Sequence, residues 1–353
     1  MFDWFFQPRF YASNKLEGTT VVISGCMRSL FGVGGSSFRL MFLQIQGDTG
    51  FGHDTSLRLL ELEINVCAGF YTDSGIKEMK HLVSTNTNKY KGKLTALKLD
   101  VTSDTSVTEF QRKVEALTPS GIYAIINNAG IAHALPIEIL PMKQHRHIME
   151  VNYFGVLRFI RAFTPSLRKF SLNQKATVPN KQDRVSPRII TIGSIASRFC
   201  VPVFSAYTAS KHAVKALTDV ARMEVAQFGI QATVIEPYFA TTPIITNDRT
   251  LELVDLYEKT SQELKDAYGV PSIDELKMIK ARAVGDPLTM KPSFVIGIIV
   301  DSVRRKYLAD QYLVGVMAYI MVALQFLVPS WILDGILQAE VKNQIGRNKN
   351  KYI

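Results

Sequence analysis

Tyr207 and Lys211 stand four residues apart, Ser194 lies thirteen residues before the tyrosine, and Asn127, Asn128, Ala129, Gly130 and Asn152 stand further upstream. Residues four apart on a helix share a face, so this spacing sets the Lys211 ammonium beside the Tyr207 phenol. A neighbouring positive charge favours the phenolate and draws the tyrosine pKa down from about 10. The outcome would be a group able to move a proton near neutral pH. Tyr11 and Lys15 share the spacing, but no serine precedes them by thirteen residues and they come before the first strand-like run. Tyr207, by contrast, follows an apolar run, residues 188–193, that ends at Ser194.

Positioning these side chains requires a scaffold, and the hydrophobic pattern predicts one. Strand-like and helical runs alternate over residues 19–25, 53–63, 64–70, 76–83, 94–99, 107–117 and 122–126. They continue as a long helix at 143–170, then 188–192, 206–228 and 231–235. This alternation predicts an α/β fold with a doubly wound, Rossmann-type parallel sheet. Such sheets take nucleotides at the carboxyl ends of their strands, where strand order reverses. The polar, lysine-rich stretch between Leu167 and Arg188 reads as an exposed loop, and amphipathic helices are expected at 250–264 and 273–284.

A dinucleotide turn needs glycines between the first strand and the first helix, so that the pyrophosphate can approach the helix N-terminus. Gly25 ends the first strand, but Gly50 and Gly52 follow only after a long interval. Removing residues 27–47 would bring Gly25, Gly50 and Gly52 into Gly-x3-Gly-x-Gly register. The interval is either a retained intron or gene-model error, or a genuine insertion that must loop away from the sheet. It carries glycines of its own, Gly32, Gly34 and Gly35, but the helix leading into the second strand follows Gly52 instead. After the second strand, Asp73 is placed to accept from a ribose 2′-hydroxyl, and no arginine is at hand for a 2′-phosphate. This favours NAD, with NADP as the alternative.

In the order glycine turn, Asn-Asn-Ala-Gly, Asn, Ser and Tyr-x3-Lys, residues 19–242 resemble the short-chain dehydrogenase/reductase family. Gly25-Cys26, Asp48 to Gly52, Val151-Asn152, Tyr207 to Lys211 and Glu236-Pro237 are similar to its branch of retinol dehydrogenases, 17β-hydroxysteroid dehydrogenases and D-β-hydroxybutyrate dehydrogenase. The resemblance implies Tyr207 as general acid and base, with Lys211 lowering its pKa and bonding the nicotinamide ribose. It implies Ser194 as the group that orients the substrate oxygen, and Asn152 as the holder of a relay water. For the cofactor it implies Gly25, Gly50 and Gly52 at the pyrophosphate, Asp100 at adenine, and Asn128, Ala129 and Gly130 along the adenosine. Asn127 would pin the central sheet. Pro237 would present its backbone to the nicotinamide amide, and Thr241 or Thr242 would reach the cofactor. A Pro-Gly pair expected after the sixth strand is here Pro237-Tyr238.

Charge narrows the partners. Of the net +10, residues 158–188 contribute +7 and the tail 341–353 contributes +4. A basic stretch and a basic tail do not make a nucleic-acid groove; they suit an anionic membrane surface or a solvated loop. Cys26, Cys67 and Cys200 are dispersed, lack metal-ligand spacing and point to a reducing compartment. Residues 311–333 carry no charge, so a membrane span, a monotopic patch and a buried helix are all open.

The expected organisation is an aromatic N-terminal segment (1–18), a dinucleotide-binding catalytic domain (19–242) interrupted at 27–47, substrate-covering helices (243–310), an apolar segment (311–340) and a basic tail (341–353). The expected activity is hydride transfer between a nicotinamide cofactor and a lipophilic alcohol or ketone of steroid or retinoid type. The setting would be an intracellular membrane, the endoplasmic reticulum ahead of the mitochondrion, with a homodimer through the long helices. A catalytically silent member that binds lipid or a partner, and a dehydrogenase of a small hydroxy acid, are the competing readings.

Overall fold

Val21, Val22 and Ile23 are each fully buried, and alternation along their strand sends Val21 and Ile23 to one face of the sheet and Val22 to the other. Apolar runs buried on both faces are what a parallel sheet covered by helices requires. The computed structural model describes residues 16, 19–25, 50–240, 255–256, 258–268 and 289–344.

The strands are β1 (Thr20–Ser24), β2 (Asn65–Phe70), β3 (Leu94–Lys98), β4 (Ala124–Asn127), β5 (Arg188–Ile192), β6 (Gln231–Pro237) and β7 (Gln311–Val314). They form one sheet in the order β3-β2-β1-β4-β5-β6-β7, with every pairing parallel. The order reverses between β1 and β4, the switch point at which such sheets bind ligands.

Helices α1 (Phe51–Glu61), α2 (Asp73–Ser84) and α8 (Pro292–Arg304) pack on the face that takes Val21 and Ile23. Helices α3 (Asp104–Leu117), α5 (Gly155–Thr177) and α6 (Ser205–Val225) pack on the other. Shorter helices are α4 (Met142–Met149) and α7 (Gln262–Tyr268); α9 (Val316–Leu327) and α10 (Ser330–Gln344) follow β7.

The structure departs from the sequence reading at four places. The long helix is not continuous: α4 passes into α5 through a π turn at Glu150–Phe154. The expected loop after Leu167 is helical to Thr177, because Leu167, Phe170 and Ser171 keep helical spacing and are buried while Arg168 and Lys169 between them face water. Helix α8, inside the stretch expected to cover the substrate, packs on the sheet instead, since Val295, Ile299 and Val303 form one buried stripe. The uncharged run from Gln311 opens as β7 paired with β6, so the sheet extends past residue 242. It then turns at Gly315, whose φ of 98° suits glycine. Among the described residues no helix is long and apolar enough to cross a membrane.

Arg188 revises the charge argument. It is fully buried, and its Nη1 donates to the carbonyls of Ser302, Val303 and Arg305 at 2.8, 3.2 and 2.7 Å. The guanidinium caps the C-terminal end of α8 and stacks 4.8 Å from the Tyr123 ring centroid, so it offers nothing to a membrane surface. Arg158 is likewise committed, to Asp104 and Glu150. Of the segment expected to be helical at 250–264, residues 255–256 and 258–264 are described, and α7 starts within it at Gln262; the segment 273–284 lies wholly outside the described residues.

Candidate active site

The turn after β1 is closed by glycines that are far apart in sequence. Gly25 has φ 75°, and a methyl group on it would strike Ala129 Cα at 2.8 Å. A methyl on Gly52 would lie 2.5 Å from Asn128 Nδ2 and 2.7 Å from the Gly25 carbonyl. Gly25 and Gly52 therefore meet, although residues 26–49 between them lie outside the described set. Gly50 precedes α1 with φ 143° and no side-chain cap, leaving the first amides of that helix for an anion.

Ser24 knits this turn to the end of β4. Its hydroxyl lies 3.1 Å from the amide of Asn128 and 3.4 Å from that of Ala129, which donate to it. Asn128 Nδ2 donates to the Gly25 carbonyl at 2.8 Å. Asn127, 2% exposed, donates through Nδ2 to Thr191 of β5 at 3.3 Å. Ser24 was not foreseen as a site residue; its place directly before Gly25 was the available signal.

Across the switch point, a methyl group on Gly130 would lie 3.6 Å from Asn152 Oδ1 and 3.7 Å from Lys211 Nζ. Asn152 sits in the π turn and is buried. Its Oδ1 accepts from the Ile131 amide at 2.8 Å, and its Nδ2 donates to the Ile131 carbonyl and to Ser210 Oγ, each at 2.9 Å. Ser210 Oγ donates in turn to the Tyr207 carbonyl at 2.7 Å. Both amide hydrogens of Asn152 are committed, so a water held there must donate to Oδ1 or to the main chain. Sequence spacing gave no hint of Ser210, which links the asparagine to the tyrosine's own backbone.

Lys211 is 6% exposed, donates to the Ile192 carbonyl at 2.8 Å and lies 5.7 Å from the Tyr207 ring centroid. Burial draws its pKa down to about 8. Burial also raises the Tyr207 pKa, against the opposing effect of a hydrogen bond with Ser194. The sequence reading expected the lysine to lower the tyrosine. Burial of the phenol is the larger influence and the hydrogen bond with Ser194 the opposing one, while the ammonium is itself desolvated and directed at the Ile192 carbonyl. Ser194 follows β5 in extended backbone and caps the short 3₁₀ turn Ile195–Ser197, its Oγ accepting from the Ala196 amide at 3.2 Å.

The remaining expected positions are dispersed around this centre. Asp73 opens α2 with its carboxylate 78% exposed and 3.4 Å from Lys98 Nζ. Asp100 accepts from the amide and the hydroxyl of Thr102 at 2.9 and 2.7 Å, so one of its oxygens shapes its own loop. Pro237 ends β6 opposite Val314, and the next residue, Tyr238, donates its amide to the Val314 carbonyl at 3.0 Å. Thr241 and Thr242 lie outside the described residues.

The glycine turn that a Cβ would fill and the uncapped α1 terminus at the switch point fit a dinucleotide. Similarity supports the same assignment. Estradiol 17-beta-dehydrogenase 2 of Mus musculus is 28% identical over 82% of this chain and 72% of that protein. Retinol dehydrogenase 16 of Homo sapiens is 25% identical over 86% of this chain and 89% of its own. A short chain dehydrogenase from Burkholderia cenocepacia, solved in complex with NADP, shares the fold at a TM-score of 0.60 and 20% identity, covering 91% of this chain and 98% of that one. The family of short chain dehydrogenases matches residues 43–252, more than half of the chain, and with this sheet order the protein belongs to that family of nicotinamide-dependent oxidoreductases.

Proposed function

We propose that the protein transfers hydride between NAD and a lipophilic alcohol or ketone of steroid or retinoid type. The observation that carries the reading is the gathering of Asn152 and Lys211 around Gly130, with Tyr207 and Ser194 hydrogen-bonded beside them. The nicotinamide ring supplies or accepts the hydride. Ser194 Oγ orients the substrate oxygen, and Tyr207 Oη takes the proton from an alcohol or gives it to a ketone. Lys211 holds positive charge beside the phenol as that proton moves, and Asn152 keeps the Ile131 backbone and Ser210 in place around them. Gly25, Gly50 and Gly52 admit the pyrophosphate, and Asn128, Ala129, Gly130 and Asp100 border the adenosine half. Pro237 borders the nicotinamide half, and Thr241, outside the described residues, is assigned to the cofactor by the family resemblance alone.

The choice of NAD rests on Asp73, whose exposed carboxylate would repel a 2′-phosphate. Lys98 beside it is the feature that favours NADP. The steroid or retinoid substrate class rests on the named relatives. A peripheral membrane contact is supported by the apolar side chains that α9, α10 and their junction leave exposed, Val316, Phe326, Leu327 and Trp331 among them. A homodimer through the long helices completes the reading.

The test is NADH formation from NAD with estradiol and with retinol, run on the full chain and on a chain lacking residues 27–47. Turnover at a higher kcat/KM with NAD than with NADP is expected. Absence of turnover and of any dinucleotide-induced Tm shift in both chains overturns the reading in favour of a silent member.

A further inference from the structure

Ser194 serves the reaction only if its hydroxyl keeps one bearing, and the chain on both sides of it sets that bearing. Before it, Gly193 donates its amide to the Ile235 carbonyl at 2.7 Å and is pressed onto β6, where a methyl group on it would lie 2.8 Å from Val234 Cγ2 and 3.3 Å from Glu236 Cγ. After it comes a reciprocal pair. Ser194 Oγ accepts from the Ala196 amide, and Ser197 Oγ accepts from the Ser194 amide, each at 3.2 Å. A serine hydroxyl has two acceptor sites and one donor. With one acceptor site fixed by Ala196, the turn at 195–198 decides where the rest of the hydroxyl is aimed.

That turn is fastened on three sides. Ile195 and Phe199 form a buried cluster with Ala318 of α9, against which Met321, Val322 and Leu333 pack. The Arg198 guanidinium reaches Glu236 of β6 and Gln311 of β7. The Arg198 carbonyl accepts from Gln325 Nε2 of α9 at 3.0 Å. Apart from Tyr319, every other side chain of α9 is apolar, and the amide of Gln325 is directed across 127 residues of sequence to this turn. Helix α9 lies beyond residues 43–252 that match the family, so the matching segment does not contain this support.

We propose that Arg198 and Gln325 are positioning residues for hydride transfer, holding the turn that aims Ser194 against β6, β7 and α9. The inference rests on the dehydrogenase reading above and adds the C-terminal helix to the machinery. Both residues act through Ser194. When the turn shifts, Ser194 Oγ loses its line to the substrate oxygen and to the Tyr207 phenol, while the glycine turn that admits the dinucleotide stays in place. Gln325 is exposed, so replacing it leaves the buried seam between the turn and α9 intact and separates aim from folding.

The test measures kcat and KM for NAD and for estradiol or retinol, whichever the full chain oxidises, over a range of pH in Gln325→Leu, Arg198→Gln and Arg198→Lys. Gln325→Leu is expected to lower kcat about fivefold and Arg198→Gln about tenfold or more, within the roughly 10²-fold that a 1 Å misplacement can cost. Arg198→Lys should recover part of the second loss, because an ammonium still faces Glu236 but lacks the fork that also reaches Gln311. The dissociation constant of NADH from isothermal titration should keep its parent value in all three. The rising limb of the pH profile for alcohol oxidation should move to higher pH, since the hydrogen bond with Ser194 opposes the upward shift of the Tyr207 pKa. A merely structural role leaves that limb where it is. If Arg198→Gln fails to fold, Gln325→Leu carries the test. A loss of kcat matched by weaker NADH binding overturns the proposal. Absence of turnover in the parent chain overturns the dehydrogenase reading and this inference with it, whereas a Gln325→Leu chain with unchanged kcat and pH profile overturns this inference alone.

Discussion

Arg198 donates through Nε and Nη2 to a single oxygen of Glu236, at 2.9 and 2.7 Å, while Glu236 Oε1 has no partner among the described residues. The glutamate is fully buried, directly precedes Pro237, and is bound by an arginine four residues after Ser194. Gln325 of α9 donates to the Arg198 carbonyl at 3.0 Å, and Gln311 of β7 bonds the guanidinium. Arg198 and Glu236 thus join the Ser194 segment, the end of β6, β7 and helix α9.

Arg198→Met should therefore cost about 3–5 kcal/mol, the penalty for stranding a buried charge, measured by urea unfolding. Burial already raises the Glu236 pKa above its usual value, and loss of the arginine raises it further. A carboxyl whose folded pKa is raised weakens the fold as pH rises through that value. The deficit of the variant should accordingly be larger at neutral pH than near pH 5, and Glu236→Gln in the same chain should recover part of it.

Tyr207→Phe should lower kcat by about 10²–10⁴, the range for losing a general acid or base. The Tm shift with NADH should persist, because the phenyl ring retains the packing. Loss of both would mean that the tyrosine holds the cofactor rather than the proton.

Lys211→Met should abolish turnover and change the pH dependence of stability. In the fold burial brings loss of the ammonium proton down to about pH 8, against 10.5 for the free side chain. Between those values the unfolded chain binds more protons, so the native state gains stability as pH rises. The variant lacks that gain, and its Tm relative to the parent should fall as pH is raised from about 8 to about 10.5.

Gly52→Ala should remove dinucleotide binding, since the new methyl group would meet Asn128 Nδ2 and the Gly25 carbonyl at 2.5 and 2.7 Å. Isothermal titration with NADH checks this directly. At 100 times its dissociation constant a ligand stabilises by about 2.7 kcal/mol, so the absence of a Tm shift gives a second readout.

Much of the scaffold was legible because fully apolar strands and helical stripes each impose one period on the sequence. The pairing of Gly25 with Gly52 was legible as a register, and Tyr207 with Lys211 as a helical spacing. What escaped depended on contacts that no local pattern encodes. Ser210 reaches Asn152 across 58 residues, and Arg198 finds Glu236 across 38. Strand β7 hid within an uncharged run because its four residues are too few for alternation to register, and only the edge of β6 selects them. The direction of the Tyr207 pKa shift was missed for a related reason: spacing reports which charge is near, whereas burial depends on the whole fold.

The π turn at Glu150–Phe154 divides one rod into two independently phased pieces. A turn of this kind holds one residue beyond the α-helical count, and one residue amounts to about 100° of rotation about the axis. The α5 stripe of Phe159, Phe163 and Leu167 can therefore stay seated on the sheet while the residues before it are aimed separately. Asn152 owes its bearing on Ile131 and Ser210 to that offset. Helical phase at this point works like a vernier, setting the asparagine without disturbing the core.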